Sequence, residues 1–204
     1  MNAKNTVRRL LLTGSLTAAL FAAGCSAAGE HGGNTGHAGT PAPSISAGAA
    51  HNAADVTFAQ AMIPHHQQAV RMSELAATRA ADPQVAQLAT QIKTAQGPEI
   101  ETMQNWLKAW GQPSAMPGHD MGNMQSMPGM MTDEQMAALE GMSGAAFDRE
   151  FVRMMIAHHQ GAITMAKTEQ ADGSDPAAKE LAAKIEKDQT AEIATLQQIL
   201  DRLK

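Results

Sequence analysis

Apolar and small residues recur along this chain with a helical period. Phe58, Met62, His65, Ala69, Met72 and Ala76 follow one another at intervals of 4, 3, 4, 3 and 4, the seam of a helix packed along one face. Phe151, Met155, His158, Ala162 and Met165 repeat it. Val85, Leu88, Ile92, Glu99, Met103 and Trp106 form a stripe on an intervening helix. Asp82 and Asp175 are each followed by proline, the pattern of an N-cap with Pro at the first helical position. Gly173 can end one helix, and Gly111 with Pro113 another. The pattern predicts helices over about 55–80, 83–109, 145–171 and 176–203. Thr132-Asp133-Glu134-Gln135 has capping-box spacing, which places a short helix at 133 to about 141.

Sliding the chain by 93 residues aligns 55–107 on 148–200 without a gap, with about 20 of 53 pairs identical. Asp55, Phe58, Met62, His65, His66, Gln67 and Met72 fall on Asp148, Phe151, Met155, His158, His159, Gln160 and Met165. Each half reads as a helical hairpin, 55–110 and 145–204, joined by a connection over 111–144. Two hairpins predict an all-α four-helix bundle with approximate twofold symmetry.

The seam points His65 and His158 into the bundle. His66 and His159 lie about 100° around the helix and are expected at the flank of the core, partly open to solvent. Glu99 shares a stripe with apolar residues, and Glu192 lies between Ile185 and Leu196. A buried carboxylate needs a partner. Counted from the turns, His65 and Glu99 stand at one level, roughly 24–27 Å from the loop at helical rise, and His158 and Glu192 repeat this. Gln96 and Gln189 lie one turn nearer the loops.

The N-terminus adds an address. Lys4, Arg8 and Arg9 precede an apolar run over 10–23 and the small residues before Cys25, the only cysteine. This order describes a signal peptide over 1–24, and the junction resembles a bacterial lipobox that makes Cys25 the lipidated N-terminus. Residues 25–54, rich in Ala, Gly, Ser, Thr and Pro, read as a flexible tether. Its His31, His37 and His51 read as solvated linker residues. Loss of residues 1–24 removes three cations and takes the formal charge from −5 to −8. That balance argues against nucleic acid as a partner. The signal segment and the lipobox resemblance imply export to the extracytoplasmic face of a bacterial membrane, held there by lipid. With no second cysteine, disulfides cannot stabilise the domain, and a soft metal site must use Met or His.

Met62 and His65 lie at i, i+3 and can face one ion. His66 could join them, with Met72 two turns on; Met155, His158, His159 and Met165 repeat the set. Imidazole suits copper among other metals, and thioether suits Cu(I) and Ag(I). Glu99 and Glu192, beside Gln96 and Gln189, would act as acceptors that fix an imidazole tautomer, or as hard ligands. The other reading makes His a hydrogen-bonded core residue and Met a packing residue. Retention of Met-x-x-His-His-Gln in both halves favours the ligand reading. The connection carries Met116, Met121, Met124, Met127, Met130 and Met131 with His119 and Asp120, an auxiliary set of thioethers suited to capturing Cu(I).

The paired His-His segments, Gln-x-x-Glu-Ile at Gln96 and Gln189, and the Met-Pro-Gly connection resemble the bacterial family named domain of unknown function 305. The resemblance covers nearly all of 52–204. It implies a ferritin-like bundle and an association with copper binding and tolerance, with the same eight Met and His positions as metal-associated residues. The expected function is an exported copper-binding lipoprotein that buffers Cu(I) or passes it to a copper-handling protein. A ferritin-like di-metal oxidoreductase is a weaker alternative, since no Glu-x-x-His occurs in the chain. A non-metal scaffold lipoprotein is the third reading.

Overall fold

The computed structural model describes residues 51–114 and 127–203. The signal segment, Cys25, His31, His37, most of the tether, and Met116, His119, Asp120, Met121 and Met124 lie outside the described residues. Five helices are described: α1 (Ala53–Arg79), α2 (Pro83–Ala109), α3 (Asp133–Glu140), α4 (Gly144–Asp172) and α5 (Pro176–Arg202). The four long ones form the bundle predicted from the seam, and none is long and apolar enough to cross a membrane.

The helix ends follow local chemistry. Asp82 and Asp175 cap α2 and α5, and Pro83 and Pro176 open them. Thr132 and Gln135 close a reciprocal capping box on α3. At the end of α2, Gly111 takes φ +67°, and Gln112 N bonds back to Leu107 O at 2.8 Å, a Schellman closure. The first helix begins earlier than its periodicity predicts, because Asn52 caps it in a capping box with Asp55. His51, read as linker, instead stacks on Trp110 at 4.8 Å between ring centroids. α1 and α2 run through Pro64 and Pro98, each of which removes one helical hydrogen bond.

α1 and α4 pack antiparallel as the central pair, α2 lies on α1, and α5 lies on α4. Polar contacts at both ends fix this orientation. Asn52, at the start of α1, donates from its side chain to Asp172 O and Ser174 Oγ, just past the end of α4. At the other end Asp148 accepts from the backbone N–H of Ala81 (3.1 Å) and Asp82 (2.9 Å) in the turn of the first hairpin. Asp55 does the same for Ser174 (3.0 Å) and Asp175 (2.9 Å) in the second. Each hairpin's turn is therefore held by a buried carboxylate of the other hairpin. The symmetry axis runs across the bundle rather than along it.

Packing divides into two apolar halves. One gathers Met72, Val85, Ile92, Phe147, Phe151, Met155 and Leu196, with Met131, Met136 and Leu139 from the connection and α3. The other gathers Phe58, Met62, Ile63, Met103, Leu107, Ala162 and Ile185. Between them, at mid-height, lie the histidines.

Only one of the two clamped turns holds a further acid. Glu169, the repeat equivalent of Ala76, is buried at 1% exposure. Burial, together with the hydrogen bond and charge of Asp55, raises its pKa to about 8. Glu169 therefore keeps its proton at neutral pH and donates it to Asp55. Burial works to raise Asp55, but backbone N–H groups and Glu169 outweigh it and hold its pKa down. The pair behaves as one proton-sharing unit.

Two outcomes are expected. Asp148→Ala, which strands two backbone N–H groups, should lower unfolding free energy in urea by about 1–3 kcal/mol. A folded pKa above the unfolded value means that Glu169 contributes stability at low pH that is lost as pH rises toward 8. Between about pH 7.5 and 8.5, where unfolded histidines are almost wholly neutral and no longer oppose the effect, the Tm of the wild type should fall with rising pH. Glu169→Gln, which mimics the protonated acid, should flatten that segment.

Candidate metal centre

The central layer is built from four imidazoles, two carboxylates and two amides. His65 and His66 stand in the middle of α1, and His158 and His159 in the middle of α4. Because the axis crosses the bundle, the midpoints of these antiparallel helices meet. The His65 and His158 rings lie 3.7 Å apart between centroids, tilted by 36°. The sequence-derived placement of these two residues in the seam holds.

For their neighbours the placement is corrected. His66 and His159 are at 0% exposure, not at a solvent-accessible flank. It is these two that face the glutamates: His66 Nε2 donates to Glu99 Oε2 at 2.9 Å and His159 Nε2 to Glu192 Oε2 at 2.7 Å. The reason is geometric. The His65 face of α1 is turned to α4, so the face about 100° away is the one that α2 covers. The level assigned to Glu99 and Glu192 was sound; the azimuth was not.

His65 finds its own acceptor. Its Nε2 donates to the Pro128 carbonyl at 3.1 Å, because residues 127–131 pass over the α1–α4 seam. Three imidazoles thus have Nε2–H bound to an oxygen that can only accept, which in the neutral ring leaves the lone pair on Nδ1. Among the described residues nothing hydrogen-bonds to Nδ1 of His65, His66 or His159, or to either nitrogen of His158. Both amide atoms of Gln96 and the amide oxygen of Gln189 are likewise buried without partners there.

Burial keeps His65, His66 and His158 neutral. Burial, then the charge of His66, depresses the His65 pKa to about 3. Burial and then His65 hold His158 well below the usual value. Burial lowers His66 too, against the opposing pull of Glu99. Glu99 stays ionised because the hydrogen bonds from His66 and Lys184 outweigh its burial. Lys184 of α5 reaches Glu99 Oε1 at 2.8 Å and Asp188 at 3.0 Å. The sequence reading missed this residue: its repeat equivalent is Gln91, and nothing along one hairpin reveals a cation supplied by the other.

The sulfur positions divide. Met62 and Met155 are fully buried one turn from His65 and His158. Met72 and Met165 lie further out, Met72 buried in the apolar half that holds Met155, and Met165 partly buried against the half that holds Met62. Met131 is buried in the former half, while Met127 and Met130 are partly exposed.

As a donor set the layer fits a soft or borderline cation. Buried neutral imidazoles present free lone pairs, and in His65, His66 and His159 the N–H on the far side is oriented by a carboxylate or carbonyl, the usual support of a metal-bound histidine. Yet among the described residues no three His, Cys, Asp or Glu side chains form a ready cage for an ion.

The sequence profile of a family described as domain of unknown function (DUF305) matches residues 55–200. The fold is similar to a DUF305 protein of Streptomyces coelicolor described as secreted, at 33% identity and TM-score 0.69 over 74% of this chain and 93% of that one. A DUF305 fragment from Deinococcus radiodurans is similar at 31% identity and TM-score 0.67, over 74% of this chain and 97% of that one. CopM in its Cu(II)-bound form is similar at 33% identity and TM-score 0.63, over 74% of this chain and 97% of that one. CopM has also been solved with Cu(I), with silver and in the apo form. No curated protein matches the chain.

Glu99→Leu should strand the buried His66 N–H and lower the stability of the metal-free protein by about 1–3 kcal/mol. Glu99→Gln keeps an acceptor and should cost less. Urea titration of both variants without metal checks the ordering.

Proposed function

The chain belongs to the DUF305 family, and on that premise we propose that it is an exported copper-binding lipoprotein. It takes Cu(I), with Ag(I) as its soft analogue and Cu(II) as a further state, and serves buffering, tolerance or transfer of the ion.

The observation that carries this reading is the buried histidine layer. Three of its four rings have Nε2–H committed to an oxygen and Nδ1 unpartnered among the described residues. A purely structural histidine of a bundle core would use its hydrogen-bonding capacity within the protein. Met62 and Met155 stand one turn away, and imidazole with thioether is a donor set for Cu(I) and Ag(I). The solved states of CopM support the same class of ion.

In this reading His65, His66, His158 and His159 supply nitrogen, and Met62 and Met155 supply sulfur. Met72 and Met165 would serve as outer sites rather than ligands at the layer. Glu99 and Glu192 orient their histidines, and Gln96 and Gln189 line the layer. Thioethers of the connection, Met116 through Met131, would exchange the ion with the bundle, aided by His119. The signal segment and Cys25 support lipid anchoring at the extracytoplasmic face, with a copper-handling protein as the recipient.

Equilibrium dialysis of the mature protein against Cu(I) under reductant, followed by metal analysis, tests the reading. The wild type should retain copper, and His65→Ala with His158→Ala, which removes two ligands, should weaken retention by more than the roughly 10–100-fold that loss of a ligand's support costs. Equal copper on the double variant would reject the layer as the site. Saturating Ag(I), at about 100 times Kd, should add about 2.7 kcal/mol to stability; an unmoved Tm would favour a scaffold role.

A further inference from the structure

The repeat alignment breaks directly after its shared His-His-Gln. His-His-Gln-Gln in the first hairpin becomes His-His-Gln-Gly in the second, so Gln68 and Gly161 are equivalent residues. Each lies three residues after the inward histidine of its helix. Both touch the same segment, Met127–Met131, and in different ways.

Gln68 uses both ends of its amide on one residue. Its Nε2 donates to Met131 O at 2.9 Å, and its Oε1 accepts from Met131 N at 2.8 Å. Gly161 makes room. A Cβ there would stand 1.9 Å from Pro128 O and 2.4 Å from Pro128 C, backbone atoms that cannot swing aside. Gly129 answers from the other side, with φ +76° and a place for Cβ only 2.6 Å from Ala157 O. The segment is therefore tied down by α1 and pressed close against α4, directly over the stacked imidazoles. Its Pro128 carbonyl then meets His65 Nε2 at 3.1 Å, whereas neither nitrogen of His158 has a partner among the described residues.

We propose that Gln68 and Gly161 are positioning residues of the metal centre. They seat Met127–Met131 as a strap across the His65–His158 pair. The Pro128 carbonyl then fixes His65 as its Nε2–H tautomer and leaves Nδ1 to meet the ion. The ligand half of this inference rests on the copper reading above; the tautomer half does not. The strap also makes the two repeat-related histidines unequal. His65 offers one predetermined nitrogen, whereas no carbonyl of the strap meets His158.

The test uses the mature chain without its lipid, labelled with 15N. In the metal-free wild type at neutral pH, long-range proton–nitrogen correlation spectra should show His65 as a single Nε2–H tautomer. Gln68→Met, which keeps length but loses both hydrogen bonds, should give His65 an averaged tautomer signature. The same variant should weaken Ag(I) binding about tenfold in competition with a chelator, the low end of losses seen when a support of a metal ligand is removed. Gln68→Glu keeps the acceptor for Met131 N–H and should fall between. Gln67→Met, at an exposed neighbouring position, should match the wild type in both readouts. Gly161→Ala should resemble Gln68→Met; if it does not fold, the Gln68 series decides. A His65 signature unchanged in Gln68→Met overturns the positioning role. A changed signature with unchanged Ag(I) affinity overturns Nδ1 as the ligand atom. If the wild type binds neither Ag(I) nor Cu(I), the copper reading falls, and the tautomer comparison still decides whether the strap sets His65.

Discussion

The hydrogen bonds from His66 to Glu99 and from His159 to Glu192 are what make a polar layer tolerable at the centre of this bundle. Without them two carboxylates would lie in or beside the core with no imidazole to meet them, and two ring N–H groups would be buried unpaired. With them, the layer divides the core into two apolar halves, each closed by methionine, phenylalanine and aliphatic side chains. The fold therefore carries its chemistry at the point where it can least absorb a mismatch. That placement also buries all four rings completely and holds His65, His66 and His158 neutral.

Much of this architecture can be read from residue order. Period and caps locate the helices, because Asp-Pro and Thr-x-x-Gln act within one turn of chain. The 93-residue offset reveals the hairpins, because both halves obey the same packing rule. Levels along the helices are also legible, since rise per residue is nearly constant. Azimuth is harder. Whether His65 or His66 meets Glu99 depends on which side of α1 each neighbouring helix occupies, and that is settled by contacts between hairpins. Lys184 and the Pro128 carbonyl escaped for the same reason: they arrive at the layer from elsewhere in the chain. The Gln68/Gly161 difference was visible in the alignment, but its meaning needed the segment that lies over it.

Symmetry and its violations divide the work. What the repeats share, Asp55 and Asp148, the histidine pairs and their glutamates, builds the frame and the layer. What they do not share tunes it. Lys184 adds a cation to Glu99 alone, Glu169 adds a proton to one turn alone, and the strap covers the seam from one side. A duplicated domain can thus keep a common scaffold and still place two differently partnered histidines side by side at its seam.

The crossed carboxylate clamps have a further meaning. Neither hairpin contains the acceptor for its own turn: Asp55 serves Ser174 and Asp175, and Asp148 serves Ala81 and Asp82. An isolated half would be incomplete, but two identical halves would complete each other about the same dyad. The layer, too, would exist only once they had associated. Joining both halves in one chain keeps each acceptor beside the turn it serves, and it leaves one half able to differ from the other, as Gln68 and Gly161 do.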